Sequence, residues 1–168
     1  MNGIDITKFP QEKLLELLRV HNRLALTLDG LWFSAAEEKF GLEAAIDLDA
    51  KTWQRYGASE ARRLSKFLGV TEPNIQDIVN MLMISPVFAF LGPKATVEGN
   101  KGILTVTDCL PQKQRVRLGK GEFPCKPVGL AYCGEFTKTV NPQVKWRCVV
   151  CPPDPHPPDV WCQWEFEL

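Results

Sequence analysis

Cysteine is missing from the first 108 residues of this 168-residue chain; all six cysteines fall between Cys109 and Cys162. Histidine is scarce too, present only as His21 and His156, so a cysteine nucleophile has two imidazoles at most to serve as its base. Net charge is zero, with 20 acidic and 20 basic side chains and no long run of either sign. A nucleic-acid partner needs a basic face, and its absence excludes that class here. Long apolar runs are lacking as well. The stretch over residues 81–91 is broken by Ser85 and Pro86, well short of the roughly 20 residues that cross a bilayer. The N-terminus, Met-Asn-Gly-Ile-Asp-Ile-Thr-Lys, has no charged leader before an apolar stretch, so no secretory signal is expected. No internal repeat is evident. These absences predict a cytoplasmic protein without membrane or nucleic-acid partners, in a compartment where thiols stay reduced.

What is present fits one domain over residues 1–168, mainly helical over 1–84 and sheet-containing and cysteine-bearing over 85–168. After Pro10, a favourable first helical position, Leu14, Leu15, Leu17, Leu18, His21, Leu24, Ala25, Leu28 and Trp32 recur at three- and four-residue steps as one apolar face. Gly30 is a weak point in this helix and Gly41 its stop. A short helical stretch over 42–46 precedes a second helix, capped by Asp49, over 50–68 and ended by Gly69. A third opens at Thr71-Glu-Pro-Asn and buries Ile75, Ile78, Val79 and Leu82.

Beyond Ser85-Pro86 the period changes to two. Residues 87–91, 95–98 and 102–107 read as strands, the last two joined by a Gly99-Asn-Lys-Gly hairpin. A polar connection over 111–120, holding at most a helical turn, leads to an amphipathic helix from Pro127 to Val140. Two alternating strands close the chain, over 144–150 and 160–168. A hairpin centred near Pro155 would set Cys148 directly opposite Cys162. The fold class is α+β: a helical N-terminal half packed with an antiparallel β-sheet crossed by a helix.

The strongest chemical signal is Cys148-Val-Val-Cys151 with Cys162. Two sulfurs of a CxxC turn can meet one tetrahedral zinc, Cys162 adds a third ligand, and His156 a fourth, with Cys125 and Cys133 as alternatives. Against zinc stand the missing second CxxC and a turn without glycine. The competing reading makes Cys148 and Cys162 small buried apolar residues. Cys125, in Phe123-Pro-Cys-Lys-Pro, sits at a helix start beside Lys126, and both features favour thiolate and a nucleophilic role. Glu60 and Asp29 lie on or beside apolar helical faces, as candidates for proton transfer. For Glu60 the bland alternative is an ion pair with Arg62, Arg63 or Arg55, or a hydrogen bond to another helix. Trp161 points away from its strand's apolar face, beside the five prolines between Pro152 and Pro158, as a candidate partner surface.

Several of these motifs also carry a resemblance. Asp29-Gly-Leu-Trp32, Trp53, Glu60-Ala-Arg-Arg-Leu64, Asp108-Cys-Leu-Pro-Gln-x2-Arg115, Phe123-Pro-Cys-Lys126, Cys151-Pro-Pro-Asp154 and Cys162-x-Trp-x-Phe166 are similar to those of a small uncharacterised family of bacterial and archaeal cytosolic proteins. That family more distantly resembles the amino-thiazoline-carboxylate hydrolase-like proteins and the small-molecule-binding domain of 4-vinyl-reductase type proteins. The resemblance implies an α+β fold with a ligand pocket between helices and a curved sheet, and either ring-opening hydrolysis or apolar-ligand sensing. No hydrolase motif carries across residue by residue. The expectation is therefore a small-molecule- or zinc-binding protein, with a thiolate- or metal-dependent hydrolase as the alternative. Oligomeric state stays open, a homodimer included.

Overall fold

The computed structural model describes residues 4–168, except the Phe90 side chain. Residues 1–3, part of the stretch in which no secretory signal is expected, lie outside the described residues. Helix α1 (Gln11–Phe40) follows Pro10 and stops at Gly41, whose φ of 85° suits only glycine. It runs through Gly30 without a break, since one glycine costs only about 1 kcal/mol in a helix. Helix α2 (Leu42–Leu68) starts at once and ends on left-handed Gly69. The expected boundary at Asp49 does not form. No glycine or proline occurs between residues 42 and 56, and a Lys51–Asp47 pair at 2.6 Å spans that point. Helix α3 (Ile75–Ile84) opens on a capping box between Asn74 and Asp77.

Residues 87–91 form a short 3-10 turn, not the expected strand. Ser85 accounts for it: its hydroxyl accepts from the Val87 amide at 3.1 Å and its carbonyl from the Ala89 amide at 3.0 Å. A brief apolar run suits a buried turn as well as a strand. Strands β1 (Pro93–Glu98) and β2 (Lys101–Val106) form the expected hairpin. Helix α4 (Leu110–Arg117) occupies the connection read as polar, and α5 (Lys126–Val140) leads to β3 (Lys145–Val150) and β4 (Cys162–Glu167). The sheet is antiparallel throughout, in the order β1-β2-β4-β3. The architecture is α+β, with helices leading and strands closing the chain.

The closing hairpin forms two residues out of the expected register: Cys148 lies opposite Trp164, and Cys162 opposite Val106. The Trp161 amide donates to the Val106 carbonyl at 2.8 Å, and a bulge between Cys148 and Val150 takes up a residue. An offset of two leaves each side chain on its expected face.

Glycine decides how closely the layers approach. A Cβ on Gly57 of α2 would stand 2.9 Å from the Tyr132 carbonyl of α5. On the other side of α5, Cβ atoms on Gly129 and Gly134 would each come within 2.7 Å of a ring, that of Trp164 and that of Trp146. Helix α5 is thereby sandwiched between α2 and the sheet. Helix α3 reaches the same sheet through Gly102, against Ile75 and Val79. Trp164, Phe166, Leu104, Val106, Phe136 and Ile78 fill the core between these layers.

One expectation fails in an informative way. The face of α1 turned inward is Leu26, Asp29, Phe33 and Ala36, while the leucine-rich face read as buried is exposed: Leu24 59%, Leu28 64%, Trp32 67%.

The glycine contacts predict opposite outcomes for two alanines. Gly57→Ala should lower the urea-unfolding free energy by about 1–3 kcal/mol through overpacking. Gly30→Ala, with open space around its Cβ, should raise it by roughly 0.5–1 kcal/mol.

Candidate functional site

Cys125 is the residue that caps α5 at its N-terminus. The segment before it is clamped by Gln112 of α4, whose side chain is 1% exposed. The Gln112 amide donates to the Phe123 carbonyl at 2.7 Å and to the Cys125 sulfur at 3.3 Å, while its oxygen accepts from the Phe123 amide at 2.7 Å. From the other side comes Cys151, directly after β3, held where the Lys126 amide donates to the Pro152 carbonyl at 2.9 Å. The Pro152–Pro153 peptide is cis. The two sulfurs, Cys125 Sγ and Cys151 Sγ, lie 3.6 Å apart. Cys151 is buried and Cys125 is partly open.

The pair is electrostatically unequal. The Cys151 thiol donates to Cys125 and holds it below the ordinary thiol pKa, with the Gln112 amide adding to the effect against the cost of burial. Cys151 is pushed up because its proton serves Cys125 and Cys162. Burial raises three others: Cys109 to about 12, Cys148 to about 11, and Cys133 well above a free thiol. Lys126 is not the cause of the low value, since its ammonium is taken by Asp154 at 2.7 Å. Cys125 is thus a partly open sulfur held towards thiolate, and that makes it the chemically distinct one.

Two groups of carboxyls stand near α2. Glu60 is buried and accepts from Tyr132 at 2.7 Å and Ser85 at 2.8 Å, with Tyr56 a further hydroxyl partner. Burial raises its pKa, and the hydroxyls only partly oppose that. The hydrogen bond from Tyr132 is the expected bond to another helix, α5; among the described residues no arginine pairs with Glu60, and Arg63 binds Ser59 instead. Asp29 of α1 and Asp49 of α2 both hydrogen-bond Trp53. Burial lifts Asp29 to about 6, while burial and the Asp29 charge lift Asp49 to about 7. The Asp49 charge also reaches Cys125 and opposes its ionisation.

The four residues read as a metal set do not come together as one. His156 Nδ1 faces the Pro157 carbonyl at 2.9 Å, its Nε2 faces Glu122 at 3.4 Å, and its ring lies on Trp161. Cys148 faces Trp164, whose indole N–H donates to Cys162 at 3.3 Å. Among the described residues, no group of three or more His, Cys, Asp or Glu side chains is arranged to hold a metal ion. Trp161, read as a partner surface, packs against the core. Concavities of about 420 Å³, between α5 and β3 beside Gln54, and about 450 Å³, on the outer sheet face, contain no cysteine. Among the described residues no helix is long and apolar enough to cross a membrane.

Sequence reasoning missed two members of this site. Asp49 was taken as a helix cap, and nothing local marks it as buried inside a longer helix. Gln112 carries no signal alone, although it stands in the Asp108-Cys-Leu-Pro-Gln motif. Glu37 is a third surprise: Arg115 grips it with two bonds of 2.7 and 3.1 Å, Lys120 adds one of 2.9 Å, and its pKa falls to about 2. This ion pair ties the end of α1 to α4.

The raised aspartates set a pH dependence. Below pH about 4 both the folded and unfolded chains keep these protons; between pH about 4 and 6 to 7 only the folded chain still holds them, so their share of stability is lost as the pH rises and is gone once the folded chain releases them too. Asp49→Asn should therefore flatten the fall in urea-unfolding free energy between pH 4 and 7. At pH 8 it should gain on the order of 1 kcal/mol over the parent, a figure discounted for partial exposure.

No curated protein matches the chain. A crystal structure of a trafficking protein particle complex subunit 3 from Naegleria fowleri, covalently bound to palmitic acid, is similar over 94% of this chain and 96% of that one. The two are 14% identical with a TM-score of 0.48, too low to carry any argument about this chain. That match is neither of the hydrolase-like nor vinyl-reductase-type relatives expected from the sequence. A family model does match, from residue 7 to residue 168 and so across both the helices and the sheet, and the chain belongs to that family of unknown function (DUF6125).

Proposed function

We propose that this is a thiol–disulfide-active protein in which Cys125 attacks and Cys151 resolves. The observation that carries the reading is the 3.6 Å contact between a partly open sulfur held towards thiolate and a buried sulfur that keeps its proton. The substrate class is a small disulfide. Cys125 thiolate attacks one of its sulfurs, forming a mixed disulfide and releasing one thiolate, which takes a proton from water. Cys151 then loses its proton to solvent and attacks Cys125 Sγ, expelling the second thiolate. Two protein thiols are oxidised and one small disulfide is reduced to two thiols. Bond formation brings the sulfurs from 3.6 Å to about 2.05 Å, within reach of side-chain rotation. A reducing compartment such as the cytoplasm would keep the dithiol as the resting form.

Asp49 tempers the attack. With its pKa at about 7 it is anionic above neutral pH, and that charge disfavours the thiolate of Cys125. Glu60, deeper and enclosed by the hydroxyls of Ser85 and Tyr132, serves the core.

Iodoacetamide reactivity measured across pH should show one fast thiol with a midpoint below the ordinary value of about 8.5. Cys125→Ser should abolish the fast phase, and Cys151→Ser should move its midpoint upward. Oxidised glutathione should yield a Cys125–Cys151 disulfide by peptide mapping. A midpoint at the ordinary value together with no such disulfide would reject the proposal.

A further inference from the structure

The leucine-rich face of α1, which the core leaves uncovered except at half-buried Leu17, has a period of its own. Leu14, Leu17, His21, Leu24, Leu28 and Leu31 follow alternating steps of three and four residues, the a and d positions of a coiled-coil seam. Leu18 and Trp32 flank it and are 55% and 67% exposed. The seam lies opposite the Leu26, Phe33 and Ala36 face that meets the body of the molecule. Contiguous exposed apolar surface of this extent marks an interaction site.

We propose that α1 is the contact helix of an antiparallel dimer of this chain. The seam is complementary to itself in that sense. Reversing the helix about the point between Asn22 and Arg23 sets Leu14 against Leu31, Leu17 against Leu28 and His21 against Leu24, so every a position meets a d position. Such a contact is closed by a two-fold axis and needs no other surface. Its size is adequate. From the exposures of Leu14, Leu18, Leu24, Leu28, Leu31 and Trp32, one copy contributes on the order of 700 Å², near the roughly 800 Å² per partner of a standard interface.

Charge favours the same direction. On either side of that axis, residues 8–22 carry Lys8, Lys13 and Arg19 against Glu12 and Glu16, whereas residues 23–37 carry Asp29 and Glu37 against Arg23. An antiparallel pair sets the basic half over the acidic half; a parallel pair sets like on like. Glu37 is already held by Arg115 and Lys120, so this bias is secondary to the seam. The dimer leaves Cys125 outside the contact and stands independently of the thiol proposal.

Sedimentation equilibrium of the full chain at micromolar concentration should show a dimer. The Leu24→Glu/Leu28→Glu variant should raise the dissociation constant by more than about tenfold. Its circular dichroism and melting temperature should match those of dissociated parent, because both leucines are exposed in the single chain. Mixed Leu14→Cys and Leu31→Cys variants should crosslink to each other under mild oxidation, and neither to itself. A monomeric parent overturns the proposal, as does a dimer indifferent to the two glutamates. Leu14→Cys linking to itself overturns the antiparallel register. A monomer that instead gathers on phosphatidylglycerol vesicles assigns the face to lipid and also overturns it.

Discussion

The close approach of α5 to the layers on either side is the constraint from which the rest follows. Gly57 admits the Tyr132 backbone, and Gly129 and Gly134 admit the rings of Trp164 and Trp146. With larger residues at these three points α5 would stand off by a side chain's thickness. Tyr132 would then no longer reach Glu60 at 2.7 Å, nor would the N-terminus of α5 meet the end of β3. Both the buried hydrogen-bond network and the sulfur–sulfur contact depend on the same helix position.

That position also explains why six similar side chains behave differently. Cys133 and Cys151 belong to the core and the other four pack against it; burial is what lifts Cys109, Cys133 and Cys148. Cys125 alone combines a thiol donor, an amide donor and a partly open side. Gln112 is the quiet determinant. Its three hydrogen bonds fix the backbone at Phe123 and the sulfur of Cys125 together, so the electrostatics of the thiol are set by a neutral side chain with one conformation.

Most of the architecture was legible because it rests on local signals. Gly41, Gly69, the Asn74 cap and the Gly99 hairpin mark their elements in the chain itself. What was illegible depends on partners distant in sequence. Ser85 turns an apolar run into a 3-10 turn, and the Trp161–Val106 hydrogen bond sets the closing hairpin two residues from its symmetric register. The candidate site divides in the same way. Cys125 stood out by its place at a helix start, but its actual donors, Cys151 and Gln112, lie 26 and 13 residues away. In α1, apolar periodicity identified a helix correctly and assigned its leucines to the wrong surroundings, since periodicity reports that a face is apolar and not what covers it.

The sheet ends in two strands with a free side each, β1 and β3. Unpaired strand borders invite templated stacking of further chains, and proline, charge and bulges are the means by which natural sheets resist it. Here β1 opens with Pro93 and also carries Lys94 and Glu98, while β3 carries Lys145 and Arg147 and is buckled at its bulge. A molecule with so much uncovered leucine would seem prone to fibrils. Its borders are poor templates for amyloid growth, and its uncovered leucine is concentrated on helical surface instead.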